Sequence, residues 1–184
     1  MSPTATKAKS KTASARKGPT TVARAYLEAI DARDLDTATA LWKPGSIDRL
    51  VGMADLRAPD EIKAYFENLF AAIPDFKLTI LSITAQKESA AVRWSMTGTF
   101  DGTTRIEGFA ANGASIELEG IDLLTIREGK IVDNVAYTNG VELARQIGAM
   151  PPQGSRAEKA MCAAFNAKTN AGGLLGKLRE RRAG

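Results

Sequence analysis

No histidine occurs in the 184 residues. That absence removes histidine-based triads, imidazole metal sites and histidine general bases together. Any chemistry here must run on carboxylates, Tyr, Arg, Lys or amides. A single cysteine, Cys162, allows no internal disulfide. It fits a reducing compartment, so a cytoplasmic location is expected, and Cys162 itself is read as inert packing. No apolar run approaches the roughly 20 residues of a membrane helix, so no membrane span is expected. The opening residues, MSPTATKAKSKTASARKG, lack an apolar core, which argues against a secretory signal. A P-loop, a dinucleotide glycine fingerprint and cysteine-rich metal spacing are missing too. Those motifs would have signalled phosphate, dinucleotide or metal binding.

What is present reads as one domain with tails. Hydrophobic residues make up 44% and charged residues 25%, the balance of a globular protein with a substantial core. The net charge of +4 is unevenly spread. Residues 1–19 carry five bases and no acid, residues 155–184 seven bases against two acids, and the stretch between is net negative. Residues 1–19 show no hydrophobic period and are expected to be a disordered basic tail. Nucleic-acid binding through the tails is not expected, because no aromatic residue interleaves the lysines to stack on bases.

From Thr20 the period is helical, with Val22, Tyr26, Ala29 and Ile30 on one face and Thr20 or Thr21 as cap. Asp34 or Asp36 opens a short second helix through Leu41 and Trp42, stopped by Lys43-Pro44-Gly45. Ser46–Met53 reads as a strand. Pro59 at the first helical position opens a third helix with Ile62, Tyr65, Phe66, Leu69 and Phe70 on one side. From Phe76 the period becomes two. Strands are expected over Phe76–Gln86, Ala90–Phe100, Ala114–Arg127 and Lys130–Thr138. A helix over Val141–Ile147 closes the domain at about residue 150. Two basic helical stretches follow, Arg156–Phe165 and Leu174–Arg181, divided by Gly172-Gly173. The second could dock on a partner or a lipid surface, or simply pack on its own domain. Helices followed by a run of strands argue for an α+β architecture, with helices on one face of a curved sheet.

Strand alternation separates the faces. Leu118, Gly120, Asp122 and Leu124 share one row, on which Asp122 is the sole charge among apolar residues. A carboxylate there loses hydration, its pKa rises, and proton transfer near neutrality comes within reach. The alternative is a structural Asp bonded to backbone amides or to an Arg. Val92, Trp94, Met96, Gly98 and Phe100 form the neighbouring apolar row. Trp94 and Phe100 are core or pocket wall, and bulk at Trp94, Phe100 and Phe109 sets the size of any cavity. Tyr26 and Asp48 could reach that space; a buried core tyrosine and an ion-paired aspartate are the alternatives.

Several segments, in order over residues 20–150, resemble the SnoaL-like polyketide cyclases of the nuclear-transport-factor-2-like superfamily. They are Ala25-Tyr26-Leu27-Glu28-Ala29 with Asp34-Leu35-Asp36, Ile73-Pro74-Asp75-Phe76, and Arg93-Trp94-Ser95-Met96-Thr97-Gly98-Thr99. Gly120-Ile121-Asp122, Glu128-Gly129-Lys130-Ile131-Val132 and Leu143-Ala144-Arg145-Gln146-Ile147-Gly148 continue the series. The resemblance implies a cone-shaped, barrel-like α+β fold: a curved antiparallel sheet wrapped around N-terminal helices, with a central hydrophobic pocket. It also implies a cofactor-free intramolecular aldol cyclisation with an aspartate as acid/base, in the position of Asp122. A hydrophobic small molecule would be the substrate, and a homodimer the assembly.

The chain departs from the family at each usual histidine. Phe100, Phe109, Asp48-Arg49 and Asp133-Asn134-Val135 stand where the pattern carries one. Tyr26, Tyr137, Asn139 and Arg49 are the stand-ins expected to polarise a substrate carbonyl. Trp94, Met96, Phe100, Phe109, Leu118 and Leu124 are expected to line the pocket. The ketosteroid isomerases of the same superfamily suggest a second reading, with Tyr26 and a protonated Asp122 as oxyanion donors and Asp48 as base. A binding module holding a hydrophobic ligand or a protein partner without catalysis is the third.

Overall fold

The computed structural model describes residues 18–183, with side chains through residue 171. The basic segment expected to be disordered falls almost wholly outside the described residues. The first helix, α1, spans Pro19–Asp31, with Gly18 as its cap and Pro19 at the first helical position. The cap thus lies two or three residues before the threonines that the sequence suggested. Proline fits there because its fixed φ suits a helix and its missing N–H is not needed. Val22, Ala23, Tyr26, Leu27, Ala29 and Ile30 are buried along one side. Helix α2, Leu35–Ala40, is capped by the Asp34 carboxylate, which accepts from the Thr37 N–H at 3.0 Å.

Strand β1 spans Trp42–Leu50 and therefore begins inside the expected second helix, running through Lys43-Pro44-Gly45. It turns back into a short strand that the sequence did not suggest, β2, Ala54–Arg57. Helix α3, Asp60–Ala72, starts just after Pro59, which is its cap. The long strands are β3 (Lys77–Gln86), β4 (Ser89–Phe100), β5 (Ala114–Arg127) and β6 (Lys130–Thr138). Helix α4, Gly140–Gln146, follows. The last helix, α5, runs unbroken over Arg156–Ala183. The expected division at Gly172-Gly173 does not occur: a mid-helix glycine costs about 1 kcal/mol but does not by itself stop a helix. No helix among the described residues is long and apolar enough to cross a membrane.

The six strands form one sheet in the order β2-β1-β6-β5-β4-β3. All neighbours are antiparallel except β1 and β6, which are parallel, so the sheet is mixed where a purely antiparallel one was expected. The parallel pair joins strands far apart in sequence, with α3 and four strands in the crossover. Register shifts interrupt β1/β6, β3/β4 and β5/β6. Such irregularities bend strands locally. Helix α1 packs against β3, β4 and β5, and α3 packs against α2 and β2. Burying these apolar rows drives the assembly. Along α3, Ile62 and Ala72 are fully buried, whereas Tyr65, Phe66 and Leu69 are only partly covered. Their partial burial marks the cavity.

Candidate functional site

The space between α1, α3 and the inner face of the sheet holds a cavity of about 130 Å³. Helix α1 contributes Tyr26, Leu27 and Ile30, and α3 contributes Tyr65, Phe66 and Leu69. The sheet contributes Asp48 and Leu50 from β1, Trp94 and Met96 from β4, Leu118 and Asp122 from β5, and Ala136 and Thr138 from β6. Period-two alternation selects these residues, because side chains two apart share a face. The wall is overwhelmingly apolar, and its two carboxylates come together at one place.

Strand pairing brings the carboxylates together. In the parallel β1/β6 ladder Asp48 lies opposite Asn134; in the antiparallel β5/β6 ladder Asp122 lies opposite Ala136, two residues further on. Asp48, Asn134 and Asp122 therefore lie on three adjacent strands and one face. The Asn134 side-chain amide donates to Asp48 Oδ1 at 2.9 Å and to Asp122 Oδ2 at 3.2 Å. The Trp94 indole N–H donates to Asp122 Oδ1 at 2.9 Å, and the Tyr26 hydroxyl donates to Asp48 Oδ2 at a long 3.4 Å. Trp42 packs edge-on against Tyr26, with ring centroids 5.6 Å apart. Its indole N–H lies beside the Tyr26 hydroxyl without a well-formed hydrogen bond.

Burial dominates the electrostatics. Asp48 is 2% exposed, Asn134 1% and Asp122 8%. Burial, reinforced by the charge of Asp122, pushes the Asp48 carboxyl up to about 7, while the Asn134 and Tyr26 hydrogen bonds pull it back. Burial likewise pushes Asp122 up to about 6 against the hydrogen bonds from Trp94 and Asn134. Both carboxyls thus titrate near neutrality. The Tyr26 hydroxyl is held well above its ordinary value by burial and then by Asp48 and Asp122, so it remains a proton donor. Burial also lifts Tyr65, to about 12. The Thr138 hydroxyl, on the cavity wall, is buried without a hydrogen-bond partner. Among the described residues, no group of three or more carboxylate, histidine or cysteine side chains is placed to hold a metal ion.

Of the residues expected from the sequence, Tyr26, Asp48, Trp94, Met96, Leu118 and Asp122 share the cavity wall. The others lie elsewhere. Tyr137 is 47% exposed on the opposite face of β6, since its neighbours Ala136 and Thr138 take the inward positions. Asn139 caps α4, accepting from the Glu142 N–H at 3.0 Å. Arg49 points outward and pairs with Asp55 at 3.2 Å. Phe109 is 48% exposed, and its bridge partner Ile106 lines the cavity instead. Phe100 and Leu124 are fully buried but belong to the core beyond the wall. Asn134 was missed as a site residue. A polar residue in phase with Ala136 and Thr138 was its signal, but its significance depends on β1 lying alongside.

A sequence profile described as SnoaL-like polyketide cyclase matches residues 20–147. No curated protein matches the chain. Many solved structures share its fold. AclR of Streptomyces galilaeus, provisionally assigned as a hydroxylase, is 20% identical with a TM-score of 0.65, over 83% of this chain and 95% of its own. A SnoaL-like protein of Jannaschia sp. CCS1, provisionally assigned as a polyketide cyclase, is 18% identical with a TM-score of 0.63, over 71% and 91%. IdmH of Streptomyces antibioticus, with the same provisional assignment, is 22% identical with a TM-score of 0.59, over 72% and 99%. At these identities the likeness concerns the fold.

Proposed function

The chain belongs to the SnoaL-like polyketide cyclase family, and from that premise we propose that it closes a ring in a compact, hydrophobic carbonyl compound by intramolecular aldol condensation. The observation that carries this reading is the pair of buried carboxyls on the wall of an otherwise apolar cavity. Asp122 removes a proton from the carbon next to one substrate carbonyl. The enolate carbon attacks a second carbonyl of the same molecule, and the proton returns from Asp122 to the new alkoxide. The carbon–carbon bond forms with no net loss of protons. Asp48, its carboxyl pushed up by burial, and Tyr26 supply donors to the developing oxyanion. The apolar wall folds the substrate so that its two reacting carbons meet, which contributes by proximity.

The isomerase arrangement, in which Asp122 would hold the proton and Asp48 would act as base, uses the same two carboxyls and is the second reading. A homodimer in the cytoplasm, built on a domain of residues 20–150 with residues 151–184 as an extension, completes the proposal. Sedimentation equilibrium of the whole chain checks the assembly.

The test is turnover of a panel of linear di- and triketones and their esters, followed by chromatography of cyclised product. The Asp122→Asn change is expected to lower kcat by about 10²–10⁴-fold, with ligand affinity retained. Full turnover in that variant would overturn the assignment. Tight binding without turnover in the unaltered protein would make it a binding module.

A further inference from the structure

Every donor around the two carboxyls is dispensable to one of them except Asn134. Tyr26 serves Asp48 alone and Trp94 serves Asp122 alone, whereas the Asn134 amide reaches both. We propose that Asn134 is the positioning residue of this site, holding the Asp48 and Asp122 carboxyls on one amide so that the two work as a pair. The inference rests on the reading of those carboxyls as the working groups. Asn134 lies outside the cavity wall and touches no substrate.

Three observations carry it. First, Asn134 is the most deeply buried of the three, and its Oδ1 has no partner. The amide is therefore held in the cluster by what its nitrogen donates, and turning it over would set its oxygen against two carboxylate oxygens. Second, the ladder geometry leaves one strand between the acids, and Asn134 is on that strand facing the same way. Third, the charged and titratable groups that act on Asp48 and Asp122 are one another, Asp133, Tyr26 and Tyr65, with no base among them. Among the described residues no cation acts on the acids, and the shared amide joins Tyr26 and Trp94 in favouring their ionised forms. A side chain that does not titrate leaves any proton of the cluster on the carboxyls. A bridging imidazole would compete for it.

The test is carboxyl-carbon NMR titration of Asp48 and Asp122 in the full chain and in Asn134→Leu, which keeps the branched shape and removes the donor. Both midpoints are expected to rise, each by about one pH unit, as expected when a carboxylate loses a donor. Midpoints unchanged in a folded variant would overturn the proposal. If Asn134→Leu fails to fold, Asn134→Ala removes the same donor without adding bulk to the core. The Asn134→His variant adds a spectroscopic signature: a third titrating group in the cluster, seen in the imidazole carbon resonances and in both carboxyl curves. Absence of that coupling also counts against the proposal. These readings do not need turnover. Shifted midpoints in a chain that cyclises nothing would keep Asn134 as the bridge while ending the aldol assignment.

Discussion

Trp94 and Gly120 face each other across the β4/β5 ladder, and the indole fills the space that any side chain at position 120 would need. A Cβ there would lie 2.2 Å from the ring and 2.7 Å from the Tyr137 carbonyl oxygen. The same indole donates to Asp122, so the glycine, the tryptophan and the aspartate form one unit.

Gly120→Ala is accordingly expected to destabilise the fold by about 1–3 kcal/mol through overpacking. It should also push the Asp122 midpoint upward, because the displaced indole no longer donates to the carboxylate. Denaturant unfolding and a carboxyl-carbon titration check the two effects separately.

Stability should fall as pH rises from about 4 to about 7. An unfolded aspartate loses its proton near 3.8, whereas Asp48 and Asp122 keep theirs to about 7 and about 6. Over that window the native state binds more protons, so raising the pH favours unfolding. Below the window both states are protonated and the penalty disappears. Asp48→Asn removes one of the two contributions while leaving an acceptor for Asn134. It is expected to gain about 1–3 kcal/mol over the unaltered chain at pH 8 and nothing at pH 3.5. Urea midpoints at the two pH values measure the difference.

Ala136 stands opposite Asp122 on the cavity wall. Ala136→Leu places three extra carbons in free space, so little stability is lost. An apolar fluorescent probe that binds the unaltered protein is expected to lose at least tenfold in affinity, with a thermal midpoint within a few degrees. Probe binding that survives would place the ligand outside this cavity.

Asn139 closes the first turn of α4 and lies away from the carboxyls. Asn139→Ala should cost about 1 kcal/mol as a lost helix cap and leave ligand affinity and turnover unchanged. A large loss of turnover at full stability would return Asn139 to the site.

Much of this was legible in the chain. Alternation of apolar and polar residues set Leu118, Asp122 and Leu124 on one row, and β5 buries that row. An isolated acid in such a row must be desolvated wherever the strand packs, so the upward shift of Asp122 follows from local pattern alone. The helical face of Tyr26 was legible for the same reason. Tyr137 and Asn139 were misplaced because residue type suggested them where the phase of β6 favoured Ala136 and Thr138. β1 was set late and its partner strand missed, since Pro44 and Gly45 read as a stop where the chain merely bends within a strand.

Sequence by itself determined the two periodicities, the α+β architecture, and the chemistry available to a chain without histidine. Those are local or compositional properties, carried by neighbours a few residues apart. Only the tertiary structure decided that Asp48 and Asp122 meet. They are separated by a crossover of α3 and several strands, and their approach depends on the parallel pairing of β1 with β6 and on the register that puts Asn134 between them. Non-local strand pairing is set by packing of the whole inner face, which no short stretch of sequence encodes.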